Sequence, residues 1–179
     1  MNSQEKKNFA EKIHIEYLLS NLALEVFNPA GGFDLVSERH LLELKSKLCL
    51  FNSRTHMDNI WWALSDPQIQ DYEARYAENG KGFLWIFLHA FTNKPSSELR
   101  SKRQLGESIY RRDVFIAPWE VYESSPVGRT GDRTKTGPYR HVGRKRLLEM
   151  VDFYETPIEN GKLYLPKNSD LEYLVRKIT

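Results

Sequence analysis

"HLLELKSKLCLF", residues 40–51, alternates leucine with charged or polar side chains over most of its length. Successive side chains of a strand point to opposite faces, so Leu42, Leu44, Leu48 and Leu50 belong to one face and Glu43, Lys45 and Lys47 to the other. The leucines predict a strand with one face in a core. The opposite face gathers a carboxylate and two ammonium groups. Just upstream, "FDLV" (33–36) is joined to this strand only by the polar turn Ser37-Glu38-Arg39, so the two runs read as a β-hairpin. Asp34 lies on its first arm, with Phe33 and Leu35 pointing away from it.

The flanking sequence supplies the rest of a mixed sheet. Residues 5–27 place Phe9, Ile13, Tyr17, Leu18, Leu22 and Leu24 at helical spacing, predicting one or two helices that "NPAGG" (28–32) breaks. "DPQIQDYEARYA" (66–77) predicts a helix with Asp66 as N-cap, Pro67 at the first helical position, and Ile69, Tyr72 and Tyr76 on one face. "GFLWIFLHAF" (82–91) is continuously apolar, as expected of a central strand covered on both sides. Residues 92–112 read as a charged connection, "DVFIA" (113–117) as a strand and "PWEVYES" (118–124) as a short helix. After a Gly-, Arg- and Lys-rich stretch, "LLEMVDFY" (147–154) reads as a helix and "PIENGKLYLP" (157–166) as a hairpin. This order predicts an α/β fold, a mixed β-sheet flanked by helices.

Composition narrows the class. The 179 residues, 40% hydrophobic and 12% aromatic, suffice for one real core, so 1–179 is read as a single domain, and the aromatic content argues against disorder. The 26 Lys and Arg nearly balance 24 Asp and Glu, so only local charge distribution can point to a polyanionic partner. A single cysteine, Cys49, leaves no disulfide framework or Cys-rich zinc site and suggests a reducing, cytoplasmic setting. No apolar run is long enough for a membrane span or a leader h-region, so no membrane association is expected.

If the hairpin arms pair through their tight turn, Asp34 stands beside Glu43 and Lys45. Two adjacent carboxylates repel, and a shared divalent cation relieves the repulsion. An oxygen-only site favours Mg2+, with Mn2+ as a substitute, over zinc. Lys45 beside it could orient or help deprotonate a water, or stabilise charge developing on a phosphate. A Glu-x-Lys triplet alone is common in a chain with 28% charged residues, and its weight here comes from the leucine alternation and the Asp at hairpin spacing.

This Asp, then Glu-x-Lys, arrangement resembles the active site of the PD-(D/E)xK nuclease superfamily and is most similar to that of PvuII-type restriction endonucleases. The likeness extends over residues 33–125: Asp34, "ELKS" (43–46), "RTHMD" (54–58), "LWIFLHAF" (84–91) and "DVFIAPWEVYES" (113–124) follow the family order. It departs in lacking the proline before the motif Asp and in having one histidine, His56, where the family has several. The resemblance implies a restriction-endonuclease-like fold. It also implies a type II restriction endonuclease that hydrolyses phosphodiester bonds of double-stranded DNA with Mg2+. Asp34 and Glu43 would be metal ligands and Lys45 the third catalytic residue, with products carrying 5′-phosphate and 3′-hydroxyl ends. One site per chain and two DNA strands suggest a homodimer, with a nicking monomer and a subunit of a heteromer as the alternatives. The helical region 1–30 is a candidate for its contacts.

Residues 126–146 hold Arg129, Arg133, Lys135, Arg140, Arg144, Lys145 and Arg146 against one acid, Asp132, and read as a basic DNA-binding loop to which Tyr139 and His141 add stacking or hydrogen-bonding groups. Asn52, Arg54, Thr55 and His56 follow the active-site strand directly and are expected near the scissile phosphate or the adjoining groove. His14, His89 and the Trp61-Trp62 pair read as structural. Glu16 and Glu25 are candidates for an additional metal carboxylate, and Lys47 and Cys49 carry no assigned role. A junction resolvase or repair endonuclease of the same superfamily, and a DNA-binding protein without catalysis, are the alternatives.

Overall fold

The computed structural model describes residues 3–27, 31–49, 60–95, 98–128, 138–154 and 158–176. In chain order the elements are α1 (Ser3–Asn21), β1 (Glu25–Val26), β2 (Leu35–Val36), β3 (His40–Cys49), β4 (Trp61–Ser65), α2 (Asp66–Tyr76), β5 (Gly82–Thr92), α3 (Lys102–Ser108), β6 (Ile109–Pro118), β7 (Tyr139–Gly143), α4 (Arg144–Met150), β8 (Val151–Tyr154) and β9 (Gly161–Pro166). Short 3-10 turns follow β6 at Trp119–Tyr122 and β9 at Glu172–Leu174. Seven strands form one sheet in the order β1-β2-β3-β5-β6-β9-β8, and β4 pairs with β7 as a separate two-stranded ribbon. The sheet is mixed, with β3 parallel to β5 and β6 parallel to β9 while the remaining neighbours are antiparallel. This is the α/β architecture that the sequence predicts. No helix among the described residues is long and apolar enough to cross a membrane.

The hairpin forms as expected, with Leu35 opposite Leu42 and Val36 opposite Leu41. Ser37 closes it, its hydroxyl accepting hydrogen bonds from the backbone N–H of Arg39 (3.3 Å) and His40 (3.0 Å), as short polar side chains do in turns. Side-chain alternation along β3 then separates two cores. One is aliphatic and holds Leu42 and Leu44 of β3, Ile86 and Leu88 of β5, Val114 and Ile116 of β6, and Leu18 and Leu22 from α1 and its exit. The other is aromatic and holds Leu41 of β3, Trp85 and Phe87 of β5, Phe115 of β6, Tyr72 of α2, Trp62 of β4 and Leu147 of α4. Glu43 and Lys45 share this second face with Leu41.

Several boundaries differ from the sequence reading. The N-terminal helix stops at Asn21, and Glu25–Val26 pair as an edge strand that the helical spacing concealed. Phe33 and Leu35 enter opposite cores, Phe33 the aromatic and Leu35 the aliphatic, because regular pairing begins only at Leu35. Ser65, not Asp66, caps α2 by accepting from the Gln68 N–H. The charged connection contains α3, opened by a reciprocal capping box between Ser101 and Gln104, and β6 starts at Ile109. "LLEMVDFY" divides at Val151 between α4 and β8.

Candidate active site

β2 pairs only with Leu41 and Leu42, so β3 outruns its partner strand from Glu43 onward. There the Asp34 carboxylate continues the ladder: its Oδ2 accepts a hydrogen bond from the Leu44 N–H at 2.8 Å. The expected neighbours meet. Asp34, Glu43 and Lys45 line one pocket at this edge, with Lys7 and Glu11 from α1 and Trp62 and Ala63 from the ribbon among its other walls.

Glu43 is 4% exposed, an unusual position for a carboxylate, and is held from two sides. Its Oε1 accepts from Lys45 Nζ at 2.7 Å and from Gln68 Nε2 at 2.7 Å. Gln68 Oε1 in turn accepts from Lys45 Nζ at 3.1 Å, which closes a three-membered ring of side chains. Tyr72, one helical turn after Gln68, orients that amide by accepting from Nε2 at 2.9 Å, and its own hydroxyl donates to the Gly32 carbonyl at 2.7 Å. A line of hydrogen bonds therefore runs from the backbone just before Asp34 through α2 to the Glu43–Lys45 pair. Burial and the Glu43 charge push the Tyr72 phenol well above its ordinary range, so it stays a neutral donor.

Glu43 Oε2 is buried and has no hydrogen-bond partner among the described residues. A carboxylate oxygen in that position is costly unless a proton or a cation meets it. Asp34 tells the same story electrostatically: burial first, then the Glu43 charge and, more weakly, Glu11, push its carboxyl up to about 7, against the opposing Leu44 N–H and Lys45. The two acids are thus arranged at the expense of their own solvation and of one another. Among the described residues no three His, Cys, Asp or Glu side chains come together as a metal cage. A Mg2+ ion does not need one, because it keeps several waters and is held by one or two carboxylates together with substrate phosphate oxygens. The donor set therefore fits a hard divalent cation, with Asp34 and Glu43 as its protein ligands.

The sequence reading gave Tyr72 only a place on the apolar face of its helix and did not single out Gln68, Glu11 or Lys7. Only the i,i+4 spacing of Gln68 and Tyr72 on the predicted helix was visible, and nothing local tied that face to Glu43. Of the two carboxylates considered as additional ligands, Glu16 and Glu25 are both exposed and neither lines the pocket. Glu11 does. Lys47 also lines it, with its ammonium 5.0 Å from the centre of the Trp61 ring.

The expected DNA contacts divide three ways. Asn52, Arg54, Thr55, His56, Arg129, Arg133 and Lys135 lie outside the described residues. Tyr139 and His141 sit on the ribbon, stacked on each other at 5.0 Å, and His141 stacks on Trp61 at 4.0 Å with the rings 5° from parallel. Trp61 is 41% exposed, unlike the buried Trp62 beside it. Lys145 is exposed on α4, while Arg140 is tied to Asp66 at 2.9 Å. Arg144 is a correction: it is 5% exposed and pairs with the fully buried Asp113 at 2.9 Å, so from this position it cannot reach a phosphate. Asp113 also receives both Nε and Nη2 of Arg111, its neighbour on β6, at 2.8 and 2.9 Å, so Arg144 fastens α4 to β6 rather than extending a basic loop. What reads in sequence as one loop, 126–146, contains β7 and most of the first turn of α4.

His14 and His89 lie away from the pocket lined by Asp34, Glu43 and Lys45. Both are buried, and burial lowers their imidazoles to about 3 and about 4, leaving them neutral. No family model matches the chain, and comparisons with curated proteins and with solved structures return no match.

Proposed function

We propose that this chain is a Mg2+-dependent DNA endonuclease of the PD-(D/E)xK type, acting as a homodimeric type II restriction enzyme in the cytoplasm. The observation that carries the reading is the convergence of Asp34, Glu43 and Lys45 on one pocket at the free edge of β3, with Glu43 Oε2 buried and without a hydrogen-bond partner among the described residues. Asp34 and Glu43 would hold the cation, whose chemistry is to polarise a phosphoryl oxygen and acidify a bound water. The chain's own part is positioning. Lys45 offers its ammonium where the attacking water and the developing phosphorane charge would lie, and Gln68, braced by Tyr72, keeps Lys45 and Glu43 in register.

In the reaction a water oxygen bonds to phosphorus in line with the departing 3′-oxygen. The phosphorus–oxygen bond breaks, the attacking water gives up a proton to solvent and the departing 3′-oxygen takes one up from solvent, so the strand ends become a 5′-phosphate and a 3′-hydroxyl. The stacked Trp61, His141 and Tyr139 on the ribbon, with exposed Lys145, support a nucleic-acid surface beside the pocket.

The test is incubation with long DNA of mixed sequence and Mg2+, followed by sequencing of the fragment ends. Discrete ends with a common sequence support the restriction reading, and cleavage without sequence preference favours a resolvase or repair nuclease of the same type. Lys45→Ala should lower cleavage by about 100-fold or more while leaving DNA binding in place. Wild-type protein that binds DNA but shows no Mg2+-dependent cleavage refutes the enzyme reading.

A further inference from the structure

The candidate active-site pocket contains three lysines, and only one is engaged by the catalytic carboxylate. Lys45 is held by Glu43 and Gln68. Lys47 and Lys7 line the same pocket from different elements, β3 and α1, and neither forms an ion pair among the described residues.

Lys47 follows Lys45 by two residues and so stands on the same face of β3, about 6.6 Å further along the strand. That is comparable to the step between neighbouring phosphates of one nucleic-acid strand. Its ammonium lies over Trp61, 5.0 Å from the ring centre, and the stack of Trp61 on His141 fixes that indole from the ribbon side. A cation resting on an aromatic face is attracted by the negative face of the ring, which biases the side chain toward the ribbon and away from Glu43. Lys7 lies one helical turn before Glu11, which also lines the pocket, and so brings a second unpaired ammonium to the α1 wall.

Resting on the nuclease reading, we propose that Lys47 binds the phosphate one nucleotide away from the scissile one and that Lys7 grips the same strand from the opposite wall. The site would then recognise a run of phosphodiesters rather than a single phosphate ester, with Trp61 as the positioning residue for Lys47.

The experiment measures binding of a fluorescent DNA duplex across a series of KCl concentrations, with Ca2+ present, for wild type, Lys7→Ala, Lys47→Ala, the double variant and the corresponding arginine variants. Removing one lysine–phosphate ion pair should reduce the slope of log affinity against log salt by about 0.9, and weaken binding about fivefold to tenfold near 0.1 M salt. Lys47→Arg and Lys7→Arg should retain the wild-type slope. Lys167→Ala, which removes an exposed lysine on the turn after β9, controls for loss of net charge and should leave the slope unchanged. With Mg2+, the two alanine variants should raise KM for DNA more than they lower kcat. Wild-type slopes in the double variant overturn the proposal, as does an equal loss of slope in Lys167→Ala. The binding slopes need no turnover, so their failure is separable from that of the nuclease reading. Reduced slopes with no cleavage by wild type would keep the phosphate-binding lysines and discard the enzyme.

Discussion

Replacing Asp34 with asparagine should make the metal-free protein more stable and remove its response to Mg2+. Asparagine keeps an oxygen that can accept the Leu44 N–H bond, so the ladder extension at the edge of β3 survives. What disappears is a carboxylate that burial and the adjacent Glu43 hold at about 7, against an ordinary value of 3.8. That interval corresponds to a ceiling of about 4 kcal/mol, and water entering the open pocket reduces the expected gain to about 1–3 kcal/mol.

The sign follows from where the folded-state value lies. A carboxyl raised in the folded state contributes its full stability below the unfolded value, where it is protonated in both states, and loses it as pH rises through the folded value. Wild type and Asp34→Asn should therefore be nearly equal at about pH 4, diverge between about 4 and 7, and differ most above about 7. Urea unfolding in EDTA at a series of pH values measures this directly. Adding Mg2+ at pH 8 should stabilise wild type in proportion to RT ln(1 + [Mg2+]/Kd) and leave the variant unmoved. A variant no more stable than wild type at pH 8 in EDTA, or one stabilised equally by Mg2+, refutes the account of this pair as a strained cation site.

Gln68→Ala removes the amide that bridges Glu43 and Lys45 but leaves both in place, so single-turnover cleavage should slow about 10- to 100-fold with little change in DNA affinity; an unchanged rate would show that Gln68 does not position the pair. Arg144→Met leaves the fully buried Asp113 with Arg111 as its cationic partner, and chemical denaturation should show a loss of about 2–4 kcal/mol; a loss below about 0.5 kcal/mol would place Arg144 outside the structural core. Ser101→Ala dissolves the capping box of α3 and should cost about 1 kcal/mol, measured by the same denaturation, with Ser101→Asp largely restoring it.

Much of the sheet was legible because its signals are local. The leucine alternation that begins at His40, the Ser37 turn and the unbroken apolar run of 82–91 each encode strand, turn and double burial within a few residues, and the structure follows them over His40–Cys49 and Gly82–Thr92. The errors fall where long-range pairing overrides local pattern. Glu25–Val26 continue a helical spacing yet become an edge strand because Val36 and Leu35 are there to receive them. Arg144 reads as one cation among many in a basic stretch, and only its proximity to Asp113, 31 positions earlier, removes it from the surface.

The sequence by itself determined the two faces of β3, and with them the candidate placement of Glu43 and Lys45 opposite the leucines, because strand alternation is a property of adjacent residues. Tertiary structure alone decided what surrounds that face. Gln68 and Tyr72 are 25 and 29 positions beyond Glu43, Glu11 is 32 before it, and Lys7 lies four residues further back. No local pattern encodes which helix face will close over a strand edge. That is settled when α2 buries Ile69 and Tyr72 against the aromatic core while α1 packs its leucines on the aliphatic one, bringing polar side chains from both to the same pocket.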